Sequence, residues 1–505
     1  MADPSNAQRH YRAPCPGCGA PVEFRSAQSM MAVCAYCQST VVRQGEVLQR
    51  IGKMAELFDD HSLLQLMASG QIDGQGFTLI GRLQYKYREG TWTEWQALLA
   101  DGSTGALSED NGAYVFSRAV APKRDIPAAE HFRVGATSAI NGQTYSVASN
   151  ETVALMAAQG ELPRLPPLGQ SFAMVELRAQ GAAQVLSIDY GPTLAGEPPA
   201  LSLGRPVTLD ALQMTGLKSE SARDEKGRQF NCPHCGAPVA VKLSQSKSIT
   251  CTACNSLIDL RSGLGGELRH AAQDEPVRPL IPLGRKGQLE GASWQVVGFQ
   301  HRMGQEPGDD EQFGWEEYLL YNAKRGFSFL VDATDGWSLV KPLTGAPVLA
   351  SNGRSATWQG TTYQHQSSYN AETTYVAGEF YWQVQRGQKT ANRDFTAGSK
   401  LLSMEQSPGE VTWSGGSKID SAAVAKAFKL ENQKELLQRG DASPLSASSG
   451  IGIRTIIIMV LLLVLLLLIL NRCSRCDPAV ENCTASSSRS SGGSFGGFSS
   501  GGGHK

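Results

Sequence analysis

Short segments with alternating apolar and polar residues recur along most of the chain. Residues 77–87, 92–99, 113–119, 172–178 and 184–189 show it, and so do 294–300, 317–321, 327–331 and 381–385. A period of two sends successive side chains to opposite faces, the mark of a half-buried strand. Clusters such as Asp110-Asn111-Gly112 and Asp335-Gly336 stand between the segments and read as hairpin turns. Helical stretches are few: 54–67, 209–214 and 422–437. The pattern predicts a mainly β protein made of small all-β domains, each a barrel or a sandwich.

One segment departs from this pattern. Residues 455–470 are almost all Ile, Leu, Val and Met, between Arg454 and Arg472. No polar stripe interrupts them, so a transmembrane helix is expected over 453–471. The arginines stand about 27 Å apart along a helix, and snorkelling fits that span to a slightly thicker bilayer. Residues 438–450, rich in Ser, Ala and Gly, read as a flexible linker. Residues 472–505 carry Cys473, Cys476 and Cys483 and then run in Ser and Gly, a composition expected to be disordered.

The other eight cysteines form two quartets of equal spacing: Cys15, Cys18, Cys34 and Cys37, then Cys232, Cys235, Cys251 and Cys254. Each reads CxxC, fifteen residues, CxxC. A CxxC turn aims two sulfurs at one point, and a second turn on a short hairpin completes a tetrahedron. Two structural Zn2+ sites are therefore expected, with all four positions of each filled by thiolate and none open for catalysis. The reducing cytosol that suits such thiolates, and the lack of an apolar run after Met1, lead to the expectation of a cytoplasmic N-terminal part, with the opposite topology left open by the balanced arginines beside the span.

The quartets are 217 positions apart, and the repeat extends beyond them. Gly19-Ala20-Pro21-Val22 recurs as Gly236-Ala237-Pro238-Val239, and Gly160-Glu161 as Gly378-Glu379. Trp92-Thr93-Glu94-Trp95 recurs as Trp315-Glu316-Glu317-Tyr318. Two tandem units are predicted: a zinc ribbon at 11–45 with a β domain at 60–215, and a ribbon at 228–262 with a β domain at 280–430. In the Trp-x-Glu-Trp/Tyr motif, the simplest reading puts the aromatics in the core and Glu94 and Glu317 on the opposite face.

Forty-six basic residues nearly cancel forty-seven acidic ones, and the ribbons themselves hold few cations. A nucleic-acid partner is not expected on charge grounds. None of the eight histidines forms a metal-catalysis motif, and neither a P-loop, a GxGxxG after a strand nor a GxSxG elbow occurs. No catalytic residue and no small-molecule ligand are predicted.

The CPxCGAPV knuckles, the Trp-x-Glu-Trp/Tyr motif and the Gly-Glu-Phe/Leu segment resemble the bacterial family called domain of unknown function 4178. The second copy, with Gly378-Glu379-Phe380-Tyr381-Trp382, fits better than Gly160-Glu161-Leu162-Pro163 of the first. The resemblance implies a genomic setting beside phage-shock-type stress proteins, polyamine aminopropyltransferase-like proteins and small membrane proteins. The expectation is a non-enzymatic, single-pass scaffold or adaptor of the bacterial inner membrane that recruits protein partners. The alternatives are a nucleic-acid-binding membrane tether and an accessory or catalytic partner in polyamine or lipid metabolism. The last would need a concave polar pocket around Glu317 or Glu379.

Overall fold

The structure is a computed structural model. It describes residues 11–439 apart from 27, 45–46, 55–61, 89–90, 111–112, 164–165, 192–197, 219–227, 244–245, 261–269, 272, 274–276 and 323–324. Among the described residues no helix is long and apolar enough to cross a membrane. The expected span at 453–471, the tail at 472–505 and all but the first two residues of the expected linker at 438–450 lie outside them.

Each unit closes into a barrel of eight antiparallel strands. The first contains β1 (Gln75–Lys86), β2 (Thr91–Leu99), β3 (Thr104–Asp110), β4 (Ala113–Val120), β5 (Gln143–Leu162), β6 (Ser171–Ala179), β7 (Val185–Asp189) and β8 (Ala200–Val207). Two four-stranded meanders join edge to edge, β4 with β8 and β1 with β5. The second unit repeats this with β9 (Ala292–Gln305), β10 (Gln312–Asn322), β11 (Gly326–Ala333), β12 (Gly336–Pro342), β13 (Thr361–Phe380), β14 (Lys389–Ala397), β15 (Lys400–Gln406) and β16 (Val411–Ile419). The alternating segments of the sequence lie in these strands, except 381–385, which is a bend followed by irregular chain between β13 and β14. Closure removes the sheet edges that would otherwise template aggregation.

Which face is interior follows from register. Directly opposed residues of an antiparallel pair share a face. Arg302 of β9 opposes Trp315, and Gln300 opposes Glu317, both on β10. The Arg302 guanidinium also donates to Glu405 on β15 at 2.8 Å. β10 and β15 stand across the ring from one another, so the face carrying these groups is the inside. The other face carries the two largest apolar clusters, and covering segments seal it. In the first unit Leu63, Leu64, Leu209 and Leu212 pack on Phe77, Trp95 and Phe116. In the second, Val424 and Phe428 pack on Trp294, Phe299, Tyr318 and Trp337.

Where they are described, the expected helices are mostly turns, for a backbone reason. Gln213 takes φ +48° and stops the segment at 209–214 after a turn. Residues 55–61 of the expected helix at 54–67 lie outside the described residues; strand Val47–Lys53 precedes them, and Met67 takes φ +70° at the far end. At 422–437, Lys429 at φ +57° splits the segment into α1 (Ser421–Ala427), capped by Asp420, and the single turn α2 (Lys434–Leu437).

The chain stays docked through Arg439, whose guanidinium grips Asp332 with two contacts of 2.7 Å. Burial pushes Asp332 up to about 6, against the pull of Arg439. A carboxyl whose folded value is raised stabilises below its unfolded value, and that contribution is lost as pH rises through the folded one. Between pH 4 and 7 the wild type should therefore lose about 3 kcal/mol relative to Asp332→Asn. Urea unfolding of both proteins across that range checks this; a constant difference would refute it.

Candidate metal centres and the barrel interior

Each ribbon begins with a two-stranded hairpin, Tyr11–Pro14 with Pro21–Phe24 and Arg228–Asn231 with Pro238–Val241. The knuckle glycines Gly19 and Gly236 sit at φ +77° and +75°, where their amides turn back to the carbonyls of Cys15 and Cys232 at 2.8 Å. The four sulfurs of each quartet lie within 4.8 Å of one another. Cys15–Cys37, Cys18–Cys34, Cys232–Cys254 and Cys235–Cys251 are each 3.7 Å apart. That is too far for a disulfide. It matches the edge of a tetrahedron with metal–sulfur bonds of about 2.3 Å, which is about 3.8 Å. The two four-cysteine clusters can each hold a metal ion.

The hydroxyls of Ser39 and Ser256 tune the clusters. Ser39 lies 3.1 Å from Cys37 Sγ and holds that thiol down to about 6. Ser256 lies 3.3 Å from Cys254 Sγ and holds it down to about 5. Cys18 and Cys235 go the other way. Against the pull of the Ala20 and Ala237 amides, the neighbouring thiols push both up to about 12. Four thiols in contact resist full ionisation, so metal uptake would release protons. His234 is exposed, with Nδ1 2.9 Å from Ser256 Oγ, and is no part of the sulfur cluster. His301 is half-buried and bonds Thr374; His131 and His365 make local contacts.

The ribbons are continuous with the barrels. β5 passes from β1 onto ribbon strand Met31–Val33, and β13 passes from β9 onto Ser248–Thr250. Gly160 and Gly378 mark the crossing. They take φ +77° and +92°, and a Cβ on either would come within 2.3 Å of a carbonyl on β1 or β9. The next residue locks the joint. Glu379 accepts the amides of Lys242 and Leu243 and the Ser246 hydroxyl. Glu161 accepts the amides of Arg25 and Ser26 at 2.6 and 3.1 Å. The repeated Gly-Glu pair is thus a ribbon-to-barrel clasp, and the expectation of a pocket around Glu379 fails.

Glu317 does line a cavity. Its oxygens accept Trp315 Nε1 and Gln300 Nε2, both at 2.6 Å, and face Arg302 at 3.6 Å. Arg302 bonds Thr390 as well, while Asp394 accepts from Tyr369 and Ser403. The motif therefore divides differently from the expectation. Trp315 shares the interior face with Glu317, two residues on, and Tyr318 faces outward into the core. Trp92 and Glu94 hold the same places in the first barrel. The two barrels touch, with Arg178 donating to the Thr344 carbonyl at 2.7 Å and Gln180 bridging Ala346. Residues of both line one cavity of 1360 Å³.

Sequence reasoning missed Arg302 and Glu405, which meet only through non-local register. Ser39 and Ser256 were findable, since each follows its last cysteine by two residues in both copies. The family model described as Domain of unknown function (DUF4178) matches residues 66–209 and 282–421, more than half of the chain. No curated protein and no solved structure matches it.

Proposed function

The chain belongs to the DUF4178 family, and from that premise we propose that it is a non-enzymatic scaffold of the bacterial inner membrane. Two zinc ions hold its ribbons, and the apolar segment 453–471 is its anchor. The observation that carries this reading is the construction of the thiolate clusters. Each is closed, with four sulfurs and no open position, and each is clasped to a barrel by Glu161 or Glu379. Such centres brace a surface for partners and offer no site for substrate. Glu317, the one motif carboxylate that faces Arg302, spends its oxygens on Trp315 and Gln300.

The test compares the full chain with a version ending at residue 439. Full-length protein should stay with membranes through a high-salt, alkaline wash, and the shortened one should be soluble. Crosslinking in cells followed by mass spectrometry should recover membrane-stress proteins with the full chain only. Release of the full chain by the wash would sink the anchor. Equal recovery with both would sink the claim that anchoring serves recruitment.

A further inference from the structure

The two sulfur clusters share their cysteines and their serines but differ at one knuckle position. His234 stands in the second ribbon where Gly17 stands in the first, 217 residues earlier. Ser256 is fully buried, and its Oγ lies 3.3 Å from Cys254 Sγ and 2.9 Å from His234 Nδ1. Sulfur, hydroxyl and imidazole thus form a chain that runs from the cluster to an exposed ring. The first ribbon keeps the hydroxyl, with Ser39 Oγ 3.1 Å from Cys37 Sγ, but has a bare glycine in place of the imidazole. A Cβ at Gly17 would come within 2.6 Å of that oxygen, so a side chain there would have to displace it.

The direction of the chain follows from donor counting. A cysteine that ligates metal is a thiolate and accepts hydrogen bonds, while a serine hydroxyl has one proton to give. With that proton on Cys254 Sγ, the Ser256 oxygen offers its lone pairs, and His234 Nδ1–H is the donor beside them. The imidazole therefore fixes the hydroxyl in the orientation that serves the sulfur. Partners of this outer kind are worth about 10–100-fold in metal affinity. The footing of the ribbons differs in the same sense. Glu379 holds the Lys242 and Leu243 amides and the Ser246 hydroxyl, the last at 2.7 Å. Glu161 holds two amides with one oxygen, and its other oxygen faces Arg25 at 3.6 Å.

We propose that His234 is a positioning residue of the second metal centre, aiming the Ser256 hydroxyl at Cys254, so that this centre keeps its metal while the first centre, with Gly17, exchanges it. This assignment rests on the zinc reading of the ribbons and gives the two copies separate tasks. The second ribbon is the permanent brace. The first is the one that yields its metal to a competing ligand.

Full-length protein in detergent, loaded with Zn2+, is treated with excess EDTA and N-ethylmaleimide, and mass spectrometry of timed samples follows the labelling of each quartet. The first quartet should be labelled about tenfold faster than the second. His234→Ala should bring the second quartet close to the rate of the first, which serves as the internal reference and should not change. Ser256→Ala should do the same, and adding His234→Ala to it should have no further effect, because the imidazole acts through the hydroxyl. Equal rates in the wild type, or a second quartet unmoved by His234→Ala, would overturn the proposal. Metal analysis before labelling separates this from a failure of the zinc reading: a chain that retains no Zn2+ would sink both. If Ser256→Ala loses its ribbon, the exposed His234 decides alone.

Discussion

Cys251→Ser should reduce the bound metal from two ions per chain to one and unfold the second ribbon. Structural zinc in ribbon-sized peptides is worth about 10–16 kcal/mol of apparent binding free energy, as large as the whole stability of an ordinary domain. The small apolar cluster around Val239, Ile249 and Ile258 is too slight to replace it. The damage would spread along a defined route. Ser248 and Ile249 pair with Phe380 and Glu379, so loss of the ribbon leaves the end of β13 without its neighbour. It also strips Glu379 of its three donors. Elemental analysis with hydrogen exchange over 228–260 reads both effects. Exposed Cys235 gives a chelator access, so treatment of the wild type should give the same exchange pattern. Unchanged protection in the metal-free protein would mean that the clusters do not hold the ribbons.

Arg302→Met should destabilise the second barrel by about 3–5 kcal/mol, because removing one partner leaves buried charge uncompensated. Glu317 is 5% exposed and Glu405 sits across the ring, with the Arg302 guanidinium between them at 3.6 and 2.8 Å. Adding Glu317→Gln and Glu405→Gln to the same chain should recover most of that loss, since an apolar or neutral replacement of the whole cluster is far cheaper than a broken one. Arg302→Lys should not rescue it, because one nitrogen cannot reach both Glu405 and Thr390 as the planar fork does. Denaturant unfolding of the four proteins checks the order. A loss below about 1 kcal/mol in Arg302→Met would show that water solvates the carboxylates.

Local chemistry was legible in the sequence, and long-range geometry was not. The quartets could be read because their spacing is itself the geometric requirement. The strands could be read because alternation is what a half-buried strand needs. Barrel closure could not be read, since it depends on β1 meeting β5 and β4 meeting β8, pairings between distant segments that leave no local mark. The Gly160-Glu161 repeat was visible as a repeat, but its task was hidden, because the amides that Glu161 accepts come from Arg25 and Ser26, over 130 residues earlier. The Trp-x-Glu motif was divided wrongly for a simple reason. Residues two apart on a strand share a face, so Trp315 and Glu317 had to lie together. The expected helix at 422–437 failed at Lys429, where a left-handed residue ends the first piece and no composition signal announces it.

The fusion of two barrels on one chain has an evolutionary consequence. In a symmetric homodimer every substitution appears twice, on both sides of the axis at once. A loss of Arg302 there would vacate both interiors together and exact its stability cost in each. Here the copies mutate independently. One keeps an internal cation in Arg302 opposite Trp315, while the other carries Tyr85 opposite Trp92, stacked on it, at the matching place. Tandem duplication thus lets one architecture keep a fixed reference copy beside a variable one.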